Sequence, residues 1–452
     1  MGPEQRHAIV IGGGASGVLL AFQLLKTNPS DLRVTLIEKR PEIGRGLAYH
    51  AGNPEHLLNV RVMNMSALPD DPDHFWNWLC ARPGGPLCPD PYCFVPRQTY
   101  GDYLAELIAP LKSRDGSQGL TIVHGECVSI HENPSDVAVT LAGGTRITGS
   151  TAVLATGHDA AAPLLAGHAV PWASPADAGI DTDATVLILG TGLSMVDYVL
   201  SLLRYGHQGR IVAMSRRGLL PRAHRRVDPM RFAESEIPFG AEIGTLLRWF
   251  RGRIEMHVAA GGDWRGAIDG IRPYTQRLWQ ELPLSSRRRF LEHARAWWDV
   301  HRHRTAPEVE ACIAELLATK RLTVIAGKLS AITPNSDGAL VHYRRRGQAE
   351  TSELQVGAII DCTGIVRDPG ASTNPAVRSL LDQGLARIDP LRIGIDVTPD
   401  GAIVNREGSP SRRLYAVGPL TRAAFWEIIA VPDIRQQCAE LAKRLRAHDE
   451  PS

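Results

Sequence analysis

The sequence predicts an α/β protein built from two Rossmann-like dinucleotide-binding domains, the second interrupted by a helical insertion. Three observations predict it. A Gly12-x-Gly14-x-x-Gly17 fingerprint stands directly after a β-branched run and opens a helical stretch. A second, imperfect fingerprint, Gly190-x-Gly192, repeats that grammar after residue 185. Downstream of each, an apolar strand ends in a Thr-Gly turn, at Ala155-Thr156-Gly157 and Cys362-Thr363-Gly364.

In chain order, residues 7–11 (HAIVI) read as a strand, Ser16 to Lys26 as a helix and Arg33 to Glu38 as a second strand, which together make a βαβ unit. Gly12 permits the tight turn, Gly14 lets a pyrophosphate approach the backbone, and Gly17 lets the helix lie close on the strand. Ser16 sits in the first helical turn, where the N–H groups face the phosphates. Glu38, 21 residues after Gly17, ends the second strand where a carboxylate accepts the ribose hydroxyls. Asp102 to Leu111 reads as helix and Leu120 to Val139 as strands, and Ala152 to Leu154 leads into Thr156 and Gly157.

The second unit places a strand at 185–189, a helix from about Ser194 to Arg204 and a strand from Arg210 to Met214. Met195 stands where the third glycine belongs, which predicts a helix held further from its strand. Its second strand ends not in an acid but in Ser215-Arg216-Arg217, and arginine there accommodates a 2′-phosphate, which favours NADPH over NADH. Residues Leu219 to Glu308 are rich in Arg, His and Trp and read as a helical insertion. Strands at Thr323–Ala326, Ala339–Arg344 and Val356–Asp361 close this fold, and a tail from Leu414 to Leu445, one strand and one long helix, packs back on the first. Linkers rich in Pro, Gly and Asp, at Pro163–Asp183 and Val366–Asp400, set the expected boundaries: 1–180 and 366–452 for the FAD domain, 181–365 for the NAD(P)H domain.

Composition narrows the function classes. A chain of 452 residues with 44% hydrophobic content and a net charge of +2 has no global field drawing it to nucleic acid or an anionic membrane. No apolar run reaches bilayer length and no signal-peptide pattern opens the chain, so a cytoplasmic protein is expected. The cysteines at 80, 88, 93, 127, 312, 362 and 438 contain no CxxC pair and no zinc spacing, and all seven are read as buried or free thiols. That disfavours a redox-active disulfide and leaves flavin-to-oxygen chemistry as the expectation for a chain with two nucleotide folds. His301-Arg302-His303-Arg304 reads as an anion site or as a solvated cationic helix face.

The order GGGASG, GRGLAYHAGNPEHLLNVRVMNM, FVPRQTYGDYL, ATG, GTGLSMVD, MSRRGLLP, WDVHRHRTAPE and LYAVGPLTRAAFWEIIAVPDIRQQ resembles a family of bacterial FAD/NAD(P)-binding proteins, itself similar in part to FAD-dependent urate hydroxylase. It is distantly similar to the amino-acid N-hydroxylating monooxygenases. The resemblance implies that His56 to Met65, Asn59 among them, line the flavin ring and that Arg97, Tyr100 and Tyr103 sit beside the FAD. It further implies that Gly418-Pro419 contacts the flavin through backbone, and that Trp426 to Arg435 sets a helix N-terminus near its pyrimidine. The activity implied is a monooxygenase that takes hydride from NADPH and hydroxylates a small, anionic substrate through a flavin C4a-hydroperoxide formed with O2. Urate is the specific expectation. An amino-acid or amine N-hydroxylase, a flavin reductase and a non-turnover flavin sensor are the alternatives. Arg97, Arg222 and His224 are the residues expected to meet the substrate anion.

Overall fold

The computed structural model describes residues 6–27, 32–50, 53–84, 89–113, 118–159, 173–363 and 368–447. The expected linker from Pro163 begins outside them, as do Cys88 and Gly364. Up to residue 159 the strands are β1 (His7–Ile11), β2 (Arg33–Glu38), β3 (Gly119–His124), β4 (Cys127–Glu132), β5 (Val137–Leu141), β6 (Arg146–Gly149) and β7 (Thr151–Leu154). The helices there are α1 (Ala15–Leu25), α2 (His74–Cys80) and α3 (Arg97–Ile108). From residue 173 come β8 (Val186–Leu189), α4 (Leu193–Tyr205), β9 (Ile211–Ser215), α5 (Ile243–Ala259), α6 (Trp264–Ile271), α7 (Thr275–Glu281), α8 (Leu284–Arg289), α9 (Arg295–Arg302) and α10 (Pro307–Ala318). Then follow β10 (Leu322–Asn335), β11 (Gly338–Arg345), β12 (Thr351–Val356), β13 (Ala358–Asp361), α11 (Pro375–Asp382), β14 (Ala402–Val404), β15 (Pro410–Ala416) and α12 (Val431–Ala447).

Two compact units divide the chain: Met1–Ala51, Val60–Ala160 and Ile365–Ser452 form the first, Gly52–Asn59 and Ala161–Gly364 the second. The first holds a six-stranded sheet in the order β14-β15-β7-β1-β2-β3, parallel from β15 to β3, and a separate antiparallel sheet of β4, β5 and β6. Every residue of β1 is buried, as a central parallel strand covered on both faces requires. The tail returns as β15, whose Leu414, Tyr415 and Ala416 pair with Ala152, Val153 and Leu154 of β7.

The second unit has a sheet in the order β12-β11-β10-β9-β8-β13, parallel from β10 to β13. Three expectations change here. The strand expected over Val356–Asp361 is two strands: β12 runs antiparallel to β11 and ends at Val356, Gly357 turns the chain, and β13 runs parallel to β8. Gly357 has no room for a side chain, since a Cβ would lie 2.7 Å from that of Ala184. β10 runs far past Ala326 because its second half pairs with β11 rather than β9. The insertion opens irregularly, its first long helix begins only at Ile243, and its last, α10, runs ten residues past Glu308 to Ala318. Phe232, Ile237, Phe250, Ala267, Ile268 and Ile271 give it a core of its own.

The cysteine reading needs one correction. Cys80, Cys127, Cys312, Cys362 and Cys438 are free, but Cys93 is disulfide-bonded. A search for CxxC spacing has no means of finding a bridge outside that motif. Among the described residues, no helix is long and apolar enough to cross a membrane.

Candidate functional site

At the C-terminal ends of β1, β2 and β7 the first unit opens a cleft of about 300 Å³. That is where an open parallel sheet binds ligands. Its floor is the fingerprint loop. Gly12 has φ +110°, and a Cβ there would lie 2.5 Å from the Ala155 carbonyl oxygen; at Gly17 a Cβ would lie 1.8 Å from the Gly12 oxygen. Both are steric necessities of the fold. Gly14 differs: its nearest neighbour to a Cβ is the Gly46 Cα at 3.5 Å. The loop Gly44–Tyr49 folds over the fingerprint, with Gly44 N–H donating to the Gly13 carbonyl at 2.8 Å, so Gly14 and Gly46 come together backbone to backbone at the edge of the cleft.

Helix α1 begins there without a side-chain cap and without an acid in its first turn. Its leading N–H groups are therefore the kind of donors a pyrophosphate takes. Glu38 is 9% exposed; its Oε2 accepts from Gly13 N–H at 2.7 Å and its Oε1 from Arg40 N–H at 2.9 Å. Two backbone donors thus fix a carboxylate that keeps further lone pairs for ribose hydroxyls. Arg40 donates to the Gly46 carbonyl at 2.6 Å, and Arg45 to Asp102 at 2.7 Å, which braces the overhanging loop.

Thr156, Gly157, His158 and Asp159 form the wall beyond β7, with Pro419, Ile429 and Ile434 across from them. Burial, with the Arg422 guanidinium beside it, pushes His158 down to about 4, so its imidazole is neutral at pH 7. Asp159 accepts from the Ser372 hydroxyl.

The expected residues divide. Gly12, Gly14, Ser16, Glu38, Thr156 and Gly157 line this cleft, and Gly17 packs beneath it. Asn59, Met65, Arg97, Gly418 and Trp426 do not line it. Tyr100 and Tyr103 are core residues, 0% and 1% exposed, in an aromatic cluster with Phe75. Gly418 serves its neighbours: φ is +74°, a Cβ would lie 2.4 Å from the Ser16 hydroxyl, and its N–H donates to Gln437 at 2.7 Å. The helix expected from Trp426 starts at Val431, after a turn that places Ile429 on the cleft. The sequence assigns no role to the loop from Arg40 to Tyr49 or to the pair His158–Asp159; Gly44 and Gly46 in that loop both take positive φ.

The second unit repeats the fingerprint geometry. Gly190 has φ +106°, and a Cβ would lie 2.3 Å from the Cys362 carbonyl oxygen, the counterpart of Gly12 and Ala155. Gly192 faces open space and caps α4, which also lacks a side-chain cap and an acid in its first turn, where Ser194 lies. Met195 is fully buried. Segment 53–59 lies on this unit: His56 Nε2 is 2.8 Å from the Asp197 carbonyl, and the Asn59 carbonyl accepts from His224 at 3.0 Å.

Arg216 is exposed, whereas Arg217 donates to the His293 carbonyl at 2.9 Å. Arg222 is exposed, in the segment joined to Thr305 by backbone hydrogen bonds. Arg97 belongs to the first unit, Arg222 and His224 to the second. The His301–Arg304 run is no uniform cationic face, because Arg304 is 2% exposed and ion-paired with Asp269.

Residues 9–159 match the model of a family described as FAD-NAD(P)-binding. No curated protein matches the chain by sequence. Among solved structures, the ornithine hydroxylase of Pseudomonas aeruginosa is 13% identical with a TM-score of 0.62, covering 98% of this chain and 99% of that one. The ornithine N-hydroxylase of Kutzneria sp. 744, with reduced FAD, NADP+ and L-ornithine, is 15% identical with a TM-score of 0.61, covering 98% and 100%. The FAD-bound cadaverine monooxygenase of Erwinia amylovora is 13% identical with a TM-score of 0.63, covering 97% and 93%. At these identities the likeness establishes the fold: an α/β chain with an FAD/NAD(P)-binding domain, arranged as in flavin monooxygenases.

Proposed function

We propose that this protein is an FAD-dependent, NADPH-consuming monooxygenase that N-hydroxylates a small primary amine. The supporting observation is the near end-to-end likeness to three amine hydroxylases, which spans both nucleotide folds and the insertion. The residues present fit FAD. The bare backbone at Gly14 would let the pyrophosphate approach, the α1 N-terminus would hold its charge, and Glu38 would take the adenosine ribose. Ile429 and Ile434 would supply an apolar wall. When bound, FAD supplies the two-electron redox chemistry and the activation of O2.

In the second unit, Gly190, Gly192 and Ser194 would present the α4 N-terminus to the NADPH pyrophosphate, and Arg216 would meet the 2′-phosphate. Arg217, engaged with the His293 carbonyl, would orient the turn. Arg222, exposed and without an acidic partner among the described residues, is the group we assign to a substrate carboxylate where the substrate is an amino acid. The comparisons favour an amine over urate, which was the reading drawn from sequence resemblance alone. The test is NADPH and O2 consumption by the purified protein with ornithine, lysine, cadaverine and urate, each with product analysis. Hydroxylamine formed from an amine supports the proposal; loss of the urate absorbance band with no response to amines would overturn it in favour of urate hydroxylation.

A further inference from the structure

The end of the second unit's sheet gathers cations that no acid among the described residues pairs with. β9 ends at Ser215, paired in parallel with Ala326 of β10, so Arg216 emerges beside Gly327 and Lys328. On the other side of β10, Gly327 pairs with Arg345 and Lys328 with Arg344, while Arg346 N–H donates to the Ala326 carbonyl at 2.8 Å. Arg216, Lys328, Arg344, Arg345 and Arg346 line a cleft of about 280 Å³ completed by Gly327, Gly347 and Gln348. No acid lines it, and none of these cations has a carboxylate partner among the described residues. Like charges brought together without a counter-ion repel, so this cleft is electrostatically incomplete until an anion enters.

Its position ties it to the fingerprint. The Ser215 hydroxyl is 2.8 Å from that of Thr191, the second fingerprint residue, which donates onward to the Leu219 carbonyl at 2.6 Å. Ser215 also accepts from Gly218 N–H at 3.0 Å, and Gly218 takes φ +62°. These bonds pin the turn from which Arg216 projects. In the first unit the corresponding strand, β2, ends in Glu38, which would repel a phosphate.

We propose that this cleft is a phosphomonoester pocket that makes the second unit select NADPH over NADH, with Lys328, Arg344, Arg345 and Arg346 as specificity-determining residues beside Arg216. The proposal rests on the reading above that this unit binds a nicotinamide dinucleotide. The cations recognise a dianionic phosphate on the adenosine ribose; the strand β9 that would carry the ribose carries Arg216 itself.

The full-length, FAD-loaded protein and two variants, Arg344→Gln/Arg345→Gln/Arg346→Gln and Lys328→Gln, are titrated with 2′,5′-ADP, 5′-ADP and inorganic phosphate, and their KM values for NADPH and NADH are measured. All four side chains are exposed, so the variants fold. The triple variant weakens 2′,5′-ADP and raises the NADPH KM roughly 10- to 100-fold, and Lys328→Gln does so less, while 5′-ADP and NADH change less than about twofold. Equal losses for both coenzymes, no loss for NADPH, or inorganic phosphate binding as tightly as 2′,5′-ADP would overturn the proposal. A protein that keeps its FAD but binds neither coenzyme would instead overturn the reading beneath it.

Discussion

The three fingerprint glycines of the first unit look alike in sequence but do different work. A Cβ on Gly17 would lie 1.8 Å from the Gly12 oxygen, so Gly17→Ala must push α1 off β1 and costs stability, on the order of 3 kcal/mol. A Cβ at Gly14 meets nothing closer than 3.5 Å. Gly14→Val therefore leaves the fold standing and expels the cofactor: a Tm near that of the apo protein with no yellow colour. Reversed outcomes for the pair would show that Gly14, not Gly17, is the packing residue.

His158 gives a pH signature. Its folded pKa of about 4 lies below the ordinary 6.5, so between these values the unfolded chain takes up a proton that the folded chain refuses. Its contribution is complete above pH 6.5 and is lost as the pH falls towards 4, by at most about 3 kcal/mol. His158→Gln should flatten the acid limb of apo-protein stability over that window, and an unchanged limb would contradict a buried neutral imidazole. Arg222 divides substrates by charge. Arg222→Ala should raise KM roughly 10- to 100-fold for ornithine or lysine and leave cadaverine, which has no carboxylate, unaffected; equal effects on all would remove Arg222 from the substrate site.

At the scale of elements, the sequence marks what is periodic and local. β1, β2, α1 and the Glu38 spacing are legible because a buried parallel strand is a continuous apolar run and glycine is forced wherever backbone meets backbone. The division of β12 from β13 is not, since Val356 to Asp361 is a single apolar run and only tertiary pairing tells its two partners apart. Nor is the loop Gly44–Tyr49 over the cleft legible, because its place depends on tertiary bonds, from Gly44 to Gly13, from Arg40 to Gly46 and from Arg45 to Asp102, that no local pattern announces. Met195 is an informative departure: it replaces the third glycine and is fully buried, so its side chain fills core volume that a glycine would leave empty. Met195→Gly should therefore not improve the fingerprint but leave a cavity, at a cost of about 3–5 kcal/mol measured by chemical denaturation. A stabilised variant would contradict this.

For the molecule as a whole, the two nucleotide folds follow from the sequence, and the substrate does not. Arg97 belongs to one unit, Arg222 and His224 to the other, and no spacing along the chain relates them. Near-neutral net charge and local cations predict an anionic substrate, yet the cations at Arg216, Lys328 and Arg344–Arg346 gather instead in one cleft at the end of β9 and β10, the pocket we propose for a coenzyme phosphate. Arg304, the most conspicuous member of the other cluster, is spent on Asp269. The central claim is a flavin N-hydroxylase driven by NADPH, and its most direct test follows NADPH, O2 and hydroxylamine together with a primary amine as substrate. The account predicts yellow protein whose NADPH oxidation is accelerated by the amine, with hydroxylamine formed up to one per NADPH. NADPH oxidation indifferent to every amine offered, with no hydroxylamine formed, would contradict it.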